Sequence, residues 1–136
     1  MRRILFLVLG SIKYFLVRVI VPLICGGITY SLWMATFLLV SKSGSQIVEG
    51  ILWLLAPIVT ASGFTTGIRI IEHFNEATDT GFFRIFVWPL IGCSLGAIAV
   101  YWYGPMLVVF SMLAAGAASI FLRDIVLISR NRPRGN

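Results

Sequence analysis

Residues 83–129, FRIFVWPLIGCSLGAIAVYWYGPMLVVFSMLAAGAASIFLRDIVLIS, decide the fold. Apart from Arg84 at one end and Arg123 and Asp124 towards the other, the stretch carries no charge. Gly104 and Pro105 divide it into two apolar runs, 83–103 and 106–129. Each is long enough to cross the hydrocarbon core of a bilayer, which takes about 20 residues. A Gly-Pro pair ends one helix and starts the next, so the two runs form an antiparallel hairpin. Tyr101, Trp102 and Tyr103 beside the turn are rings with a polar edge, which favour the membrane–water interface.

Working back towards the N-terminus, two further runs qualify, 20–40 and 47–71, separated by Ser41-Lys42-Ser43-Gly44-Ser45. The chain is therefore expected to be an all-α integral membrane protein, a bundle of four transmembrane helices over residues 20–129. Composition agrees: 59% of the 136 residues are hydrophobic and 12% charged, about half the charge of a soluble domain. Pro57 and Pro89 fall inside runs and are expected to kink them.

Residues 1–19 read differently. At about 100° per residue, Ile4, Leu5, Val8, Leu9, Ile12, Phe15, Leu16 and Val19 share one side, and Arg2, Arg3, Gly10, Ser11, Lys13, Tyr14 and Arg18 lie on the other, with Phe6, Leu7 and Val17 as exceptions. This predicts a basic amphipathic helix in the headgroup layer, with Pro22 as the bend into the first span. A signal peptide is disfavoured, because Lys13 and Arg18 interrupt the run and no small-x-small site follows. Residues 130–136, with Arg130, Arg132 and Arg134, are expected to form a basic tail that meets anionic headgroups.

Charge sets the expected orientation. With four spans, ten of the eleven Lys and Arg residues share the side of both termini, and only Lys42 lies opposite. Positive charge stays in the cytoplasm. This places the chain in the plasma (inner) membrane as a multi-pass protein, both termini cytoplasmic.

Small residues mark the packing faces, since close van der Waals contact, rather than hydrophobicity, joins helices in lipid. They are Gly27, Ser31 and Ala35 in span one, Gly63 and Gly67 in span two, Gly92 and Gly96 in span three, and Ser111, Ala115 and Ser119 in span four. Either all four stripes pack within one bundle, or some dock partner subunits or copies of the chain.

Two polar features remain. Thr60, Ser62, Thr65 and Thr66 in span two either bond back to their own helix or line a polar path. Arg69, Glu72, His73, Glu76 and Asp79, with Arg84 and Asp124, form ion pairs or a cytoplasmic docking surface. Arg69 is expected to pair with Glu72 and His73 along its helix, and Asp124 with Arg69 or Arg84.

Chemistry has little foothold. No nucleophile motif, zinc helix or phosphate loop is present. Cys25 and Cys93 lack CxxC spacing, and one histidine builds neither the common metal sites nor a bis-histidine haem. No cofactor, metal or nucleic acid is expected. In length and span count the chain is similar to small multidrug transporters, fluoride channels and GtrA-type lipid-carrier proteins. It lacks the first-span glutamate of the first and the weak charge bias of the second, and no site residue carries over. The expected role is a non-enzymatic accessory or assembly subunit of a larger membrane complex, docking laterally through small-residue faces. The alternative is a small homo-oligomeric channel or transporter with the region 60–66 lining the path.

Overall fold

The computed structural model describes residues 2–42, 44–74 and 81–130. Four helices make up nearly all of it: α1 (Arg2–Ser41), α2 (Gln46–Phe74), α3 (Phe82–Val100) and α4 (Pro105–Arg130), with a 3-10 turn at Tyr101–Tyr103. Leu16–Ser41, Gln46–Phe74, Phe82–Tyr103 and Met106–Leu127 are each long and apolar enough to cross a membrane. The chain is thus an all-helical, membrane-embedded, multi-pass protein.

Apolar side chains around each of these spans leave no water-compatible face, and in lipid a helix satisfies its own backbone polar groups. That second constraint explains α1. Its 40 residues extend roughly 60 Å, twice the hydrocarbon thickness. Pro22 was expected to mark a bend between two elements, yet it lies inside one continuous helix. A proline removes one N–H and crowds one carbonyl, whereas ending the helix there would strip several backbone groups of partners. Pro57 and Pro89 likewise sit inside α2 and α3. In the arm of α1 that precedes Leu16, the apolar Ile4, Leu5, Phe6, Val8, Leu9 and Ile12 are each more than half exposed.

The helices pair as two hairpins, α1 with α2 and α3 with α4, joined along α2 and α3. Both short connections need a left-handed residue: Gly44 has φ 74° and Gly104 φ 116°, values that only glycine adopts without strain. Two buried clusters fill the interior. Ala61, Phe64, Ile68, Ile85, Cys93 and Ile120 form one. Tyr30, Trp33, Ala56, Val108 and Met112 form the other, towards the connections. Trp33, Phe37 and Trp53 extend the second cluster between α1 and α2, with ring centroids 5.5–5.6 Å apart.

Candidate functional site

Glycine contacts show which small-residue faces the fold uses. On α2, a Cβ at Gly63 would collide with Thr29 and with the backbone of Cys25 and Gly26, and one at Gly67 would lie 2.5 Å from Pro22 Cα. These two glycines are the floor of the α1–α2 seam. On α3, a Cβ at Gly92 would lie 2.5 Å from the Ala115 carbonyl oxygen and 2.7 Å from Ser119 Oγ, and one at Gly96 2.5 Å from the Ser111 carbonyl oxygen. The predicted stripes of spans three and four therefore meet each other. The Ser111 hydroxyl closes this seam by donating to the Gly96 carbonyl at 2.8 Å.

The stripe of span one behaves otherwise. A Cβ at Gly27 meets nothing within 4 Å among the described residues, and Ser31 and Ala35 are exposed. α1 packs instead through Pro22, Gly26, Tyr30 and Trp33, all buried. Gly26 admits the ring of Phe64, whose Cε2 would lie 2.8 Å from an added Cβ, and Gly116 on α4 admits the same ring from another side at 2.7 Å. Phe64 is fully buried between them. Sequence reading passed over Gly26 and Phe64; the signal was the spacing of Pro22, Gly26, Tyr30 and Trp33, which recurs every three or four residues.

The hydroxyl-rich part of α2 does not gather around one space. Thr60 and Thr65 are fully buried, and their hydroxyls donate to the Ala56 and Ala61 carbonyls at 2.8 Å. Ser62 donates to Val59, and the exposed Thr66 to Ser62. Each hydroxyl is thus satisfied by its own helix.

At the opposite end from the connections lies a charged cluster that joins three helices. Arg18 Nε of α1 is 3.1 Å from Asp124 Oδ2. Arg123 Nη1 is 3.7 Å from Asp124 Oδ1, and Arg123 Nη2 is 3.3 Å from Glu72 Oε1 of α2. In these contacts two cations face two anions. The Arg123 side chain is only 5% exposed, and its Nη1 and Asp124 Oδ1 make no hydrogen bond. Asp124 was expected to pair with Arg69 or Arg84; the contacts described for it are to Arg18 and the adjacent Arg123. Arg18 was read as part of the polar side of the first helix, and only the third dimension brings it to α4. Removing one partner from such a group strands a charge in a poorly solvated place. Arg69, His73 and Arg84 are exposed near this end, with the His73 ring against Phe74. Glu76, Asp79 and the tail after Arg130 lie outside the described residues.

The thiol of Cys93 is buried and donates to the Met112 carbonyl at 3.6 Å. Tyr30 Oη and Trp33 Nε1 are buried without a hydrogen-bond partner. Among the described residues no three His, Cys, Asp or Glu side chains gather as metal ligands. No family model matches the chain, and neither a curated protein nor a solved structure matches it.

Proposed function

We propose that the chain is a non-enzymatic accessory or assembly subunit of a larger membrane complex, and that it receives a partner's transmembrane helix on the Gly27–Ser31–Ala35 face of α1. One observation carries this: three of the four small-residue stripes meet within the chain, and the fourth points away from it. A lipid-facing position is served as well by leucine or isoleucine, as at Ile24, Ile28 and Leu32 beside the stripe. A shallow furrow of Gly, Ser and Ala, by contrast, lets another helix backbone approach closely. The Ser31 hydroxyl donates to the Gly27 carbonyl at 2.8 Å, so the face needs no water.

In the same proposal the chain sits in the plasma (inner) membrane with both termini in the cytoplasm, as the Lys and Arg distribution argues. The arm of α1 before Leu16 continues the helix beyond the span, and its exposed Arg3 and Lys13 are drawn to the anionic headgroups where the helix leaves the bilayer.

The test replaces Gly27 by leucine. No described atom lies within 4 Å of that Cβ, so the bundle keeps its packing while the furrow is filled. Gentle detergent extraction and native mass measurement should show a hetero-complex for the natural chain and the free subunit for Gly27→Leu. A monomer in both cases would end this proposal. A homo-oligomer that moves ions or solutes in liposomes would replace it with the channel alternative.

A further inference from the structure

At the end of the bundle that carries the two short connections, a groove of 570 Å³ opens between α2 and α3. Its cause is local: where the helices face one another they present Gly50, Ala56 and Pro57 on one side and Ser94 and Ala97 on the other. The large side chains beside them, Leu54 and Ile98, are mostly exposed and leave the gap open. Val108 and Met112 of α4 close its back, and Trp53, Tyr101 and Trp102 line it towards the connections. An apolar cavity of about 150 Å³ already binds benzene, and the usual range for ligand sites is roughly 300–1,000 Å³.

Charge and depth identify the occupant. No ionisable Lys, Arg, Asp, Glu or His side chain lines the groove, so it offers nothing to a charged solute. It runs along α2 from Gly50 to Pro57 and along α3 from Ser94 to the aromatic turn, roughly 10–12 Å at 1.5 Å per residue. Half of a roughly 30 Å hydrocarbon core is about 15 Å. With the Tyr and Trp rings of the turn at the headgroups, where such rings are favoured, a groove of that length spans most of one leaflet.

We propose that this groove is a binding site for one hydrocarbon tail of a membrane lipid drawn from the adjacent leaflet, the lipid head resting on Tyr101 and Trp102. The tail supplies the van der Waals partners that the small residues leave out. This site is separate from the α1 furrow, which lies on another helix.

The experiment uses the full chain in nanodiscs of phosphatidylcholine and phosphatidylglycerol that contain a phosphatidylcholine with a diazirine in its tail. Irradiation and peptide mapping should give at least fivefold more label per residue on Leu54, Ala97 and Ile98 than on Ile24, Ile28 and Leu32 of the α1 face. Gly50→Leu places a side chain into the groove from a Cβ with no neighbour within 4 Å, and should bring that label down to the α1 level. Ala97→Leu on the other wall should do the same, and Gly27→Leu should leave groove labelling unchanged. Equal label on both surfaces would overturn the proposal, since the groove would then be ordinary lipid-facing surface. So would an unlabelled groove crosslinked to protein, which would make it a helix-docking face.

Discussion

Gly67→Ala adds one methyl group to the α1–α2 seam. The new Cβ would stand 2.5 Å from Pro22 Cα, 3.0 Å from Pro22 N and 3.2 Å from the Val21 carbonyl oxygen. All three are backbone atoms, and no rotamer change moves them. A relaxed carbon–carbon contact is about 3.5–4.0 Å, so α1 must withdraw by roughly 1 Å. A gap of that size forfeits a quarter to a half of the attraction at every other contact along the seam. Overpacking of this kind costs about 1–3 kcal/mol. Alanine also favours the helix over glycine by roughly 0.5–1 kcal/mol, which works the other way. Gly27→Ala isolates the clash: it brings the same helix preference to a position whose Cβ has no neighbour within 4 Å. The difference between the two variants should be about 1–3 kcal/mol, a roughly 5- to 140-fold shift in the unfolding equilibrium. Titration of each variant from dodecyl maltoside into sodium dodecyl sulfate, followed by tryptophan fluorescence, measures it. If Gly67→Ala resists the denaturing detergent as well as Gly27→Ala does, the seam is not packed as described and the assignment of the free α1 face falls with it.

Two further outcomes follow from polar contacts in the same unfolding assay. Arg123→Leu leaves Glu72 without its cross-bundle partner in a largely buried place and should destabilise by about 3–5 kcal/mol, whereas Arg123→Leu combined with Glu72→Leu should recover most of that loss, because an apolar replacement of a buried pair is often neutral; equal losses in the single and double variants would contradict it. Ser111→Ala removes the hydroxyl that donates to the Gly96 carbonyl and should cost only about 0.6 kcal/mol, the average for interhelical hydrogen bonds in a membrane protein, so a loss above roughly 2 kcal/mol would show a larger role for that seam contact.

The four helices were legible because crossing lipid makes a one-dimensional demand, an apolar run of sufficient length, that the sequence meets at four places. The turn at Gly104-Pro105 and the seams at Gly63–Gly67 and Gly92–Gly96 were legible for a similar reason: tight turns and close helix contacts both require the smallest residues. Three things were not. The continuity of α1 through Pro22 depends on how backbone groups are satisfied around it, which residue identity does not report. The partner of Asp124 depends on which helix ends meet, and Arg18 lies more than a hundred residues away along the chain. The groove depends on the absence of bulk on two separate helices at the same depth, and neither Gly50 nor Ala97 is unusual by itself.

The adjacent glycines of α1 show why the use of each small-residue face within the bundle is legible only in three dimensions. Neighbouring residues on a helix lie about 100° apart. Gly26 therefore faces inward, where the Phe64 ring occupies the place of its missing side chain. Gly27 is turned away from that ring, and a Cβ added there meets nothing within 4 Å among the described residues. One glycine suffices for the internal seam, and a second beside it brings no packing advantage inside the bundle. Its helix would be better served there by alanine or leucine, unless another backbone has to come close on that side. Substitution at Gly26 should thus damage the fold, and substitution at Gly27 the assembly. A chain with Gly27→Leu that kept its hetero-complex intact would leave the second glycine without a physical purpose and remove the ground for lateral docking.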